Sequence, residues 1–131
     1  MGRGPWSRWL PVAAWMAVIF YFSSQPHPLA ALGAAGERPV IGILGHLGEY
    51  AGLGVLLRRA LAPRSPWLGP LALSLAYGVS DELHQFFVPG RHCELFDVGC
   101  DLLGASLGVA AAHLAALAGR KTAAGAPLKV E

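Results

Sequence analysis

Charge is what this sequence is short of. Only 14% of its 131 residues are charged, while 54% are apolar. Soluble domains carry about 25% charged residues, and a small soluble domain has much surface to keep in water. The shortage argues that most of the surface faces something other than water. Cysteine is nearly absent as well. Cys93 and Cys100 alone give no disulfide framework and no CxxC metal knuckle. If both lie on one helix they stand two turns, roughly 10 Å, apart, beyond the ~7 Å Cα separation that a disulfide bridges. Two free thiols are expected. The chain also lacks a phosphate-cradling glycine loop, a serine nucleophile elbow and a tandem repeat. Its basic residues do not cluster in a way that fits nucleic acid, and Arg58-Arg59 reads as a positive stop at a helix end.

Long apolar stretches fill the space that charge leaves. Four are legible, at about 6–24, 40–57, 67–88 and 95–117. Each approaches the ~20 residues that a membrane-spanning helix needs once its few polar residues are counted in. Breaks fall at Gln25-Pro26-His27-Pro28, at Pro63-Arg64-Ser65-Pro66 and at Pro89-Gly90-Arg91, because proline removes a donor and disfavours helix before it. The tail, 119–131, is short and polar and is expected to be disordered. Arg3 and Arg8 ahead of an apolar run also fit a secretory signal. Trp residues within the run and the lack of a small-x-small site directly after it favour a retained helix. The expected architecture is therefore all-α, one domain over 1–131, an integral membrane bundle of about four helices.

Orientation follows from Lys and Arg, which are enriched on the cytoplasmic side. With both termini inside, Arg3, Arg8, Arg58, Arg59, Arg64, Arg120, Lys121 and Lys129 fall inside, and only Arg38 and Arg91 fall outside. Trp6, Trp9 and Trp67 then sit as interfacial anchors on the inner side. His113 lies toward the same side and reads as a packing residue.

The ionisable residues collect at the other end. Each costs about 2.5–3.5 kcal/mol in a bilayer on insertion scales, so several are kept only with partners or water. His46, Glu49 and Tyr50 share a face at i, i+3, i+4. Tyr77, Asp81, His84 and Gln85 share another, with Glu82 beside them, and Asp97 and Asp101 are spaced i, i+4. All lie in the outward halves of their helices, under a topology drawn from Lys and Arg alone. Gly48-x-x-x-Gly52 and Gly104-x-x-x-Gly108 are spaced for close helix approach, the second extended by Cys100 and Ala112.

The run Ser80-Asp81-Glu82-Leu83-His84-Gln85-Phe86-Phe87-Val88-Pro89-Gly90-Arg91, followed by Asp97-Val98 and Gly104, resembles the signature of the VanZ-like membrane protein family. His46-Leu47-Gly48-Glu49-Tyr50 before Leu53-Gly54 resembles that family's earlier His/Tyr motif, and Phe22-Ser23-Ser24-Gln25-Pro26 its first-helix ending. The likeness runs over roughly residues 15 to 110. Two positions depart from it. Ile43-Leu44-Gly45 stands where members often have an Asp-Lys pair, and Asp101 stands where they often have Asn. The resemblance implies a bacterial cell membrane and an association with resistance to glycopeptide antibiotics of the teicoplanin type. It implies no settled reaction.

The candidate site is thus His46, Glu49, Tyr50, Asp81, Glu82, His84, Gln85, Arg91, Asp97 and Asp101. No metal and no cofactor is expected, although imidazole and carboxylate can ligate one. Arg91 is expected to pair with Asp97 or Glu82 across the short turn, or to hold a phosphate or carboxylate. Partners are membrane lipids, with a lipid-linked envelope precursor or an amphiphilic antibiotic as ligand, no nucleic acid, and a homo-oligomer left open. Three functions stay in view. One is recognition of an envelope component or antibiotic at the outer leaflet. Another is an enzyme on a lipid-linked substrate, with Glu82 or Asp81 and His84 moving protons. The last is a structural or accessory membrane subunit.

Overall fold

The computed structural model describes residues 4, 6–26, 39–62 and 64–124. Among these residues it is helical and has no strand. The helices are α1 (Trp6–Ser23), α2 (Pro39–Leu61), α3 (Leu68–Gln85) and α4 (Leu95–Ala124). α2 opens on proline, whose fixed φ suits the first helical position, and closes on Arg58 and Arg59, which complement the helix dipole. Pro70 lies in the first turn of α3, where its missing N–H interrupts no helical bond. Ser65 Oγ takes up the Gly69 N–H at 2.7 Å. α3 stops at Gln85 rather than Val88, as Phe87 and Val88 donate to the carbonyls of His84 and Gln85 in tighter turns. Gly90 follows at φ 82°, and Arg91 N–H returns to Val88 O at 3.1 Å. Proline then glycine at the centre of that turn is the type II arrangement, in which the second residue needs positive φ.

Two further helix ends differ from expectation. α2 runs on to Leu61, and α4 continues through Gly119, Arg120 and Lys121 to Ala124. Residues 119–124 are thus helical, not the start of a disordered tail; 125–131 lie outside the described residues, as does His27 of the first loop. α2 and α4 are long and apolar enough to cross a membrane by length and composition. Cys93 precedes α4 instead of lying on it, and both thiols are free, Cys93 exposed and Cys100 buried.

α2 and α4 form the closest pair, α3 packs on both, and α1 leans on α2 and α3. Glycine sets the α2–α4 distance. A Cβ at Gly104 would strike the Leu47 carbonyl, one at Gly108 the Ala51 carbonyl, and one at Gly54 the Ala105 carbonyl. The Gly104/Gly108 spacing therefore marks a real helix contact. The Gly48/Gly52 pair does not: Gly48 faces open space, and Gly52 makes room for the Trp15 ring of α1, whose atoms lie 2.8 Å from its Cβ position. Trp15 Nε1 donates to Glu49 O at 2.8 Å, and Tyr77 OH donates to Met16 O at 2.7 Å. These bonds tie α1 to α2 and α3.

An apolar core of Val12, Ile19, Tyr50, Leu53, Leu57, Ala60 and Ala105 is present, but burial otherwise departs from that of a water-soluble globule. Asp81, Glu82, Gln85, Asp101, Ser23 and Ser74 are inside, while Leu10, Phe20, Leu44, Leu83, Leu103 and Leu114 are outside. Contiguous apolar surface on this scale is rare on soluble monomers.

Gly108→Ala should lower thermal stability in detergent, with a cost on the order of 1–3 kcal/mol for a methyl forced against backbone. Gly99→Ala, where nothing lies within 4 Å, should leave the melting temperature unchanged. Equal melting of the two variants would contradict the glycine contact.

Candidate functional site

The candidate residues lie toward the end of the bundle where α1 and α3 finish and α2 and α4 begin, with Glu49 and Tyr50 reaching the middle of α2. The residues divide into two linked groups. On the α2–α4 side, His46 Nδ1 meets Asp101 Oδ1 at 2.8 Å and His46 Nε2 lies 3.7 Å from Asp97 Oδ2. Glu82 of α3 turns toward them, and its Oε2 accepts the Glu94 N–H at 3.0 Å. His46, Glu82 and Asp101 each bring a ligating atom to within 4.8 Å of the others. Asp101 fits because Gly78 faces it: the Cβ position of Gly78 lies 3.0 Å from Asp101 Oδ2 and 3.5 Å from the Tyr50 ring.

The second group joins α3 to α1. Ser23 Oγ donates to Asp81 Oδ2 at 2.8 Å, and Gln85 Nε2 donates to the same oxygen at 3.2 Å. Arg91 donates to Gln85 Oε1 and, at 3.4 Å, to the Gln25 carbonyl. His84 shares a hydrogen bond of 3.0 Å with Ser24 Oγ and stacks on Phe20 with centroids 4.5 Å apart. The helical turn explains the split. Tyr77, Asp81, His84 and Gln85 do share a face, and it is the face that meets α1. Glu82 is one residue, about 100°, further round, and so it looks toward α2 and α4.

Two expectations are corrected by these contacts. Arg91 pairs with neither Asp97 nor Glu82; its guanidinium fork is directed at the neutral oxygens of Gln85 and Gln25. Among the described residues the ion pairs belong to His46. His84 makes no hydrogen bond or ion pair with Asp81 or Glu82 among the described residues; its partners are Ser24 and Phe20. The imidazole among the carboxylates is His46, and a proton relay built on His84 loses its partner.

Burial leaves several polar atoms without a protein partner. They include Tyr50 OH, Asp81 Oδ1, Glu82 Oε1 and Asp101 Oδ2. Glu49 is the open member: it is half-buried, makes no side-chain hydrogen bond among the described residues, and lies in the electrostatic field of His46, Asp81, Asp101 and Arg91. Chemically the arrangement is rich in acceptors and poor in donors. It suits hydroxyl groups, ammonium groups or cations, and it offers a carboxylate-oriented imidazole for proton transfer.

Ser23, Ser24 and Gln25 were not among the candidate residues. Their only signal was position, at the end of the first helix, inside a segment that resembled a known motif. Ser74 is buried on α3 with its hydroxyl unpartnered, and nothing in its spacing distinguished it. At the opposite end of the bundle, Arg58 lies 3.3 Å from His113 Nδ1, and His113 packs on Trp67, in keeping with a packing role for that histidine.

A family model described as VanZ/LLP1 matches residues 8–116, most of the chain and all four helices of the site. No curated protein matches the sequence and no solved structure matches the fold.

Double-mutant cycles on detergent stability should separate the pairs. His46→Gln with Asp101→Asn should be non-additive by about 0.5–3 kcal/mol, as touching residues are. Arg91→Gln should couple to Gln85→Leu and be additive with Asp97→Asn. Coupling of Arg91 to Asp97 in place of Gln85 would contradict the geometry described.

Proposed function

The chain belongs to the VanZ/LLP1 family, and on that premise we propose that it is a multi-pass protein of the bacterial cell envelope that recognises an envelope component or an amphiphilic antibiotic at the outer leaflet. All four helices cross the membrane in this reading, with both termini in the cytoplasm. α1 and α3, 18 residues each, rise about 27 Å, close to the ~30 Å hydrocarbon core. The Lys and Arg distribution supports the orientation. The exposed belt of Leu, Phe and Val supports contact with lipid.

One observation carries the recognition reading. Buried acceptors converge at the end of the bundle with too few donors to satisfy them. A polar atom is buried so only if something completes it, and a membrane-embedded carboxylate is kept where it has a partner or a task. Glu49 opens the site, Asp81 and Arg91 flank it, and a headgroup or glycan bearing hydroxyl and ammonium groups supplies the donors. The association of VanZ-like proteins with teicoplanin-type resistance fits a ligand of that kind, a sugar-bearing amphiphile.

A second reading has its own support. The His46–Asp101 bond at 2.8 Å is the arrangement by which a carboxylate orients an imidazole for general acid–base work, and Nε2 points toward the half-exposed Asp97 side. An enzyme on a lipid-linked substrate would use His46, not His84.

Topology can be read from the native thiol. A membrane-impermeant maleimide should label exposed Cys93 in intact cells. It should leave unlabelled a single cysteine placed at Leu61 or Arg120 in a Cys93→Ser/Cys100→Ala background. The opposite pattern would reverse the bundle in the membrane.

Expression of the wild-type chain in a susceptible bacterium should raise its teicoplanin-type resistance, and Glu49→Gln should abolish that rise with unchanged expression and melting temperature. Full resistance in that variant would remove Glu49 from the site. Loss of folding in it would favour the structural subunit.

A further inference from the structure

We propose that His46, Glu82 and Asp101 bind one divalent first-row transition-metal ion, at a centre shared by α2, α3 and α4. Their ligating atoms lie within 4.8 Å of one another, and each comes from a different helix. Glu82 is 2% exposed and Asp101 1%, so these are not solvated surface acids that gather by chance. One oxygen of each is buried with no hydrogen-bond partner. The other Glu82 oxygen is held by the Glu94 N–H, which fixes the carboxylate while leaving Oε1 free to ligate. Hydrogen-bonded orientation of this kind commonly supports a metal ligand.

Charge balance leads to the same conclusion. Glu82, Asp97 and Asp101 surround a single imidazole, and the fixed cation nearest in the chain, Arg91, is directed to Gln85 and the Gln25 carbonyl. A buried carboxylate needs a paired cation or a metal. The 2.8 Å between His46 Nδ1 and Asp101 Oδ1 suits two neighbouring ligands on one ion as well as it suits a hydrogen bond, since metal–ligand bonds of about 2.0–2.2 Å place adjacent ligands roughly 3 Å apart. Asp97, with a side chain 23% exposed and 3.7 Å from His46 Nε2, stands at the other ring nitrogen, outside the three-residue cluster, and water completes the coordination. An imidazole with two carboxylates favours ions such as Zn²⁺ or Mn²⁺ over Ca²⁺ and Mg²⁺, which take oxygen ligands. Zn²⁺ should bind more tightly than Mn²⁺ at the same donors. The site goes beyond ligand recognition and is read in the protein alone, so its failure leaves the proposal for Glu49 untouched.

The test uses the full chain in detergent, stripped with a chelator and titrated with Mn²⁺ under electron paramagnetic resonance. One Mn²⁺ per chain is expected, displaced by Zn²⁺, with ¹⁴N modulation from an imidazole in the pulsed spectrum. Glu82→Gln and His46→Gln should each weaken binding at least tenfold. A His92→Ala/Cys93→Ser variant, which removes exposed donors of the adjacent loop, should bind as the wild type does and keep the ¹⁴N modulation. Wild-type affinity in Glu82→Gln overturns the proposal, and so does loss of the signal in the loop variant. Should the site variants fail to fold, the wild-type spectrum decides: Mn²⁺ without nitrogen coupling, or no bound Mn²⁺ at all, overturns it.

Discussion

The close passage of α2 over α4 governs the rest of the molecule. Gly104 and Gly108 lie beneath the carbonyls of Leu47 and Ala51, and Gly54 lies beneath that of Ala105. No larger residue fits at those points. His46 is the neighbour of Leu47, and Asp101 sits just under one turn before Gly104. Backbone contact one step further along the helices therefore brings the imidazole to 2.8 Å from the carboxylate. A wider separation would take from each the partner it has here. In lipid, where burying apolar surface between helices gains little, such packing and polar bonds hold a bundle together. Glycine sets the α2–α4 distance, beside an apolar core that includes Leu53 and Leu57.

α3 then acts as a divider with two polar edges. Asp81 and Gln85 bind it to α1 through Ser23 and, by way of Arg91, Gln25. Glu82 sends its carboxylate the other way, toward α2 and α4. Adjacent residues on one helix thus serve different neighbours. The Arg91–Gln85–Asp81–Ser23 chain locks the α3–α4 turn onto the end of α1, and the acids beside His46 are left to a separate account of charge.

Much of this was legible in the residues. The helices follow from apolar length and from proline breaks, and the gathering of the ionisable groups at one end follows from their places within those helices. The Gly104/Gly108 contact follows from small-residue spacing. Other features were not legible, for reasons of geometry. Whether Gly48 or Gly54 faces α4 depends on the rotation of α2, and a weakly amphipathic helix does not declare its rotation. Opposite charges at Arg91 and Asp97 flank one short link, yet the positive φ of Gly90 and the tightened end of α3 turn the guanidinium back toward Gln85. The exchange of His84 for His46 has the same origin: proximity in sequence put His84 beside Glu82, and the 100° step per residue put it on another face.

The Pro89-Gly90 turn also bears on the order in which the site is assembled. Synthesis proceeds from the N-terminus, so α2 emerges before α3 and α4, and His46 is made ahead of every carboxylate it meets. Glu82, Asp97 and Asp101 come afterwards, on a hairpin short enough for Glu94 N–H to reach Glu82 locally. The acids are thus made last, together on one hairpin, after the imidazole that they meet.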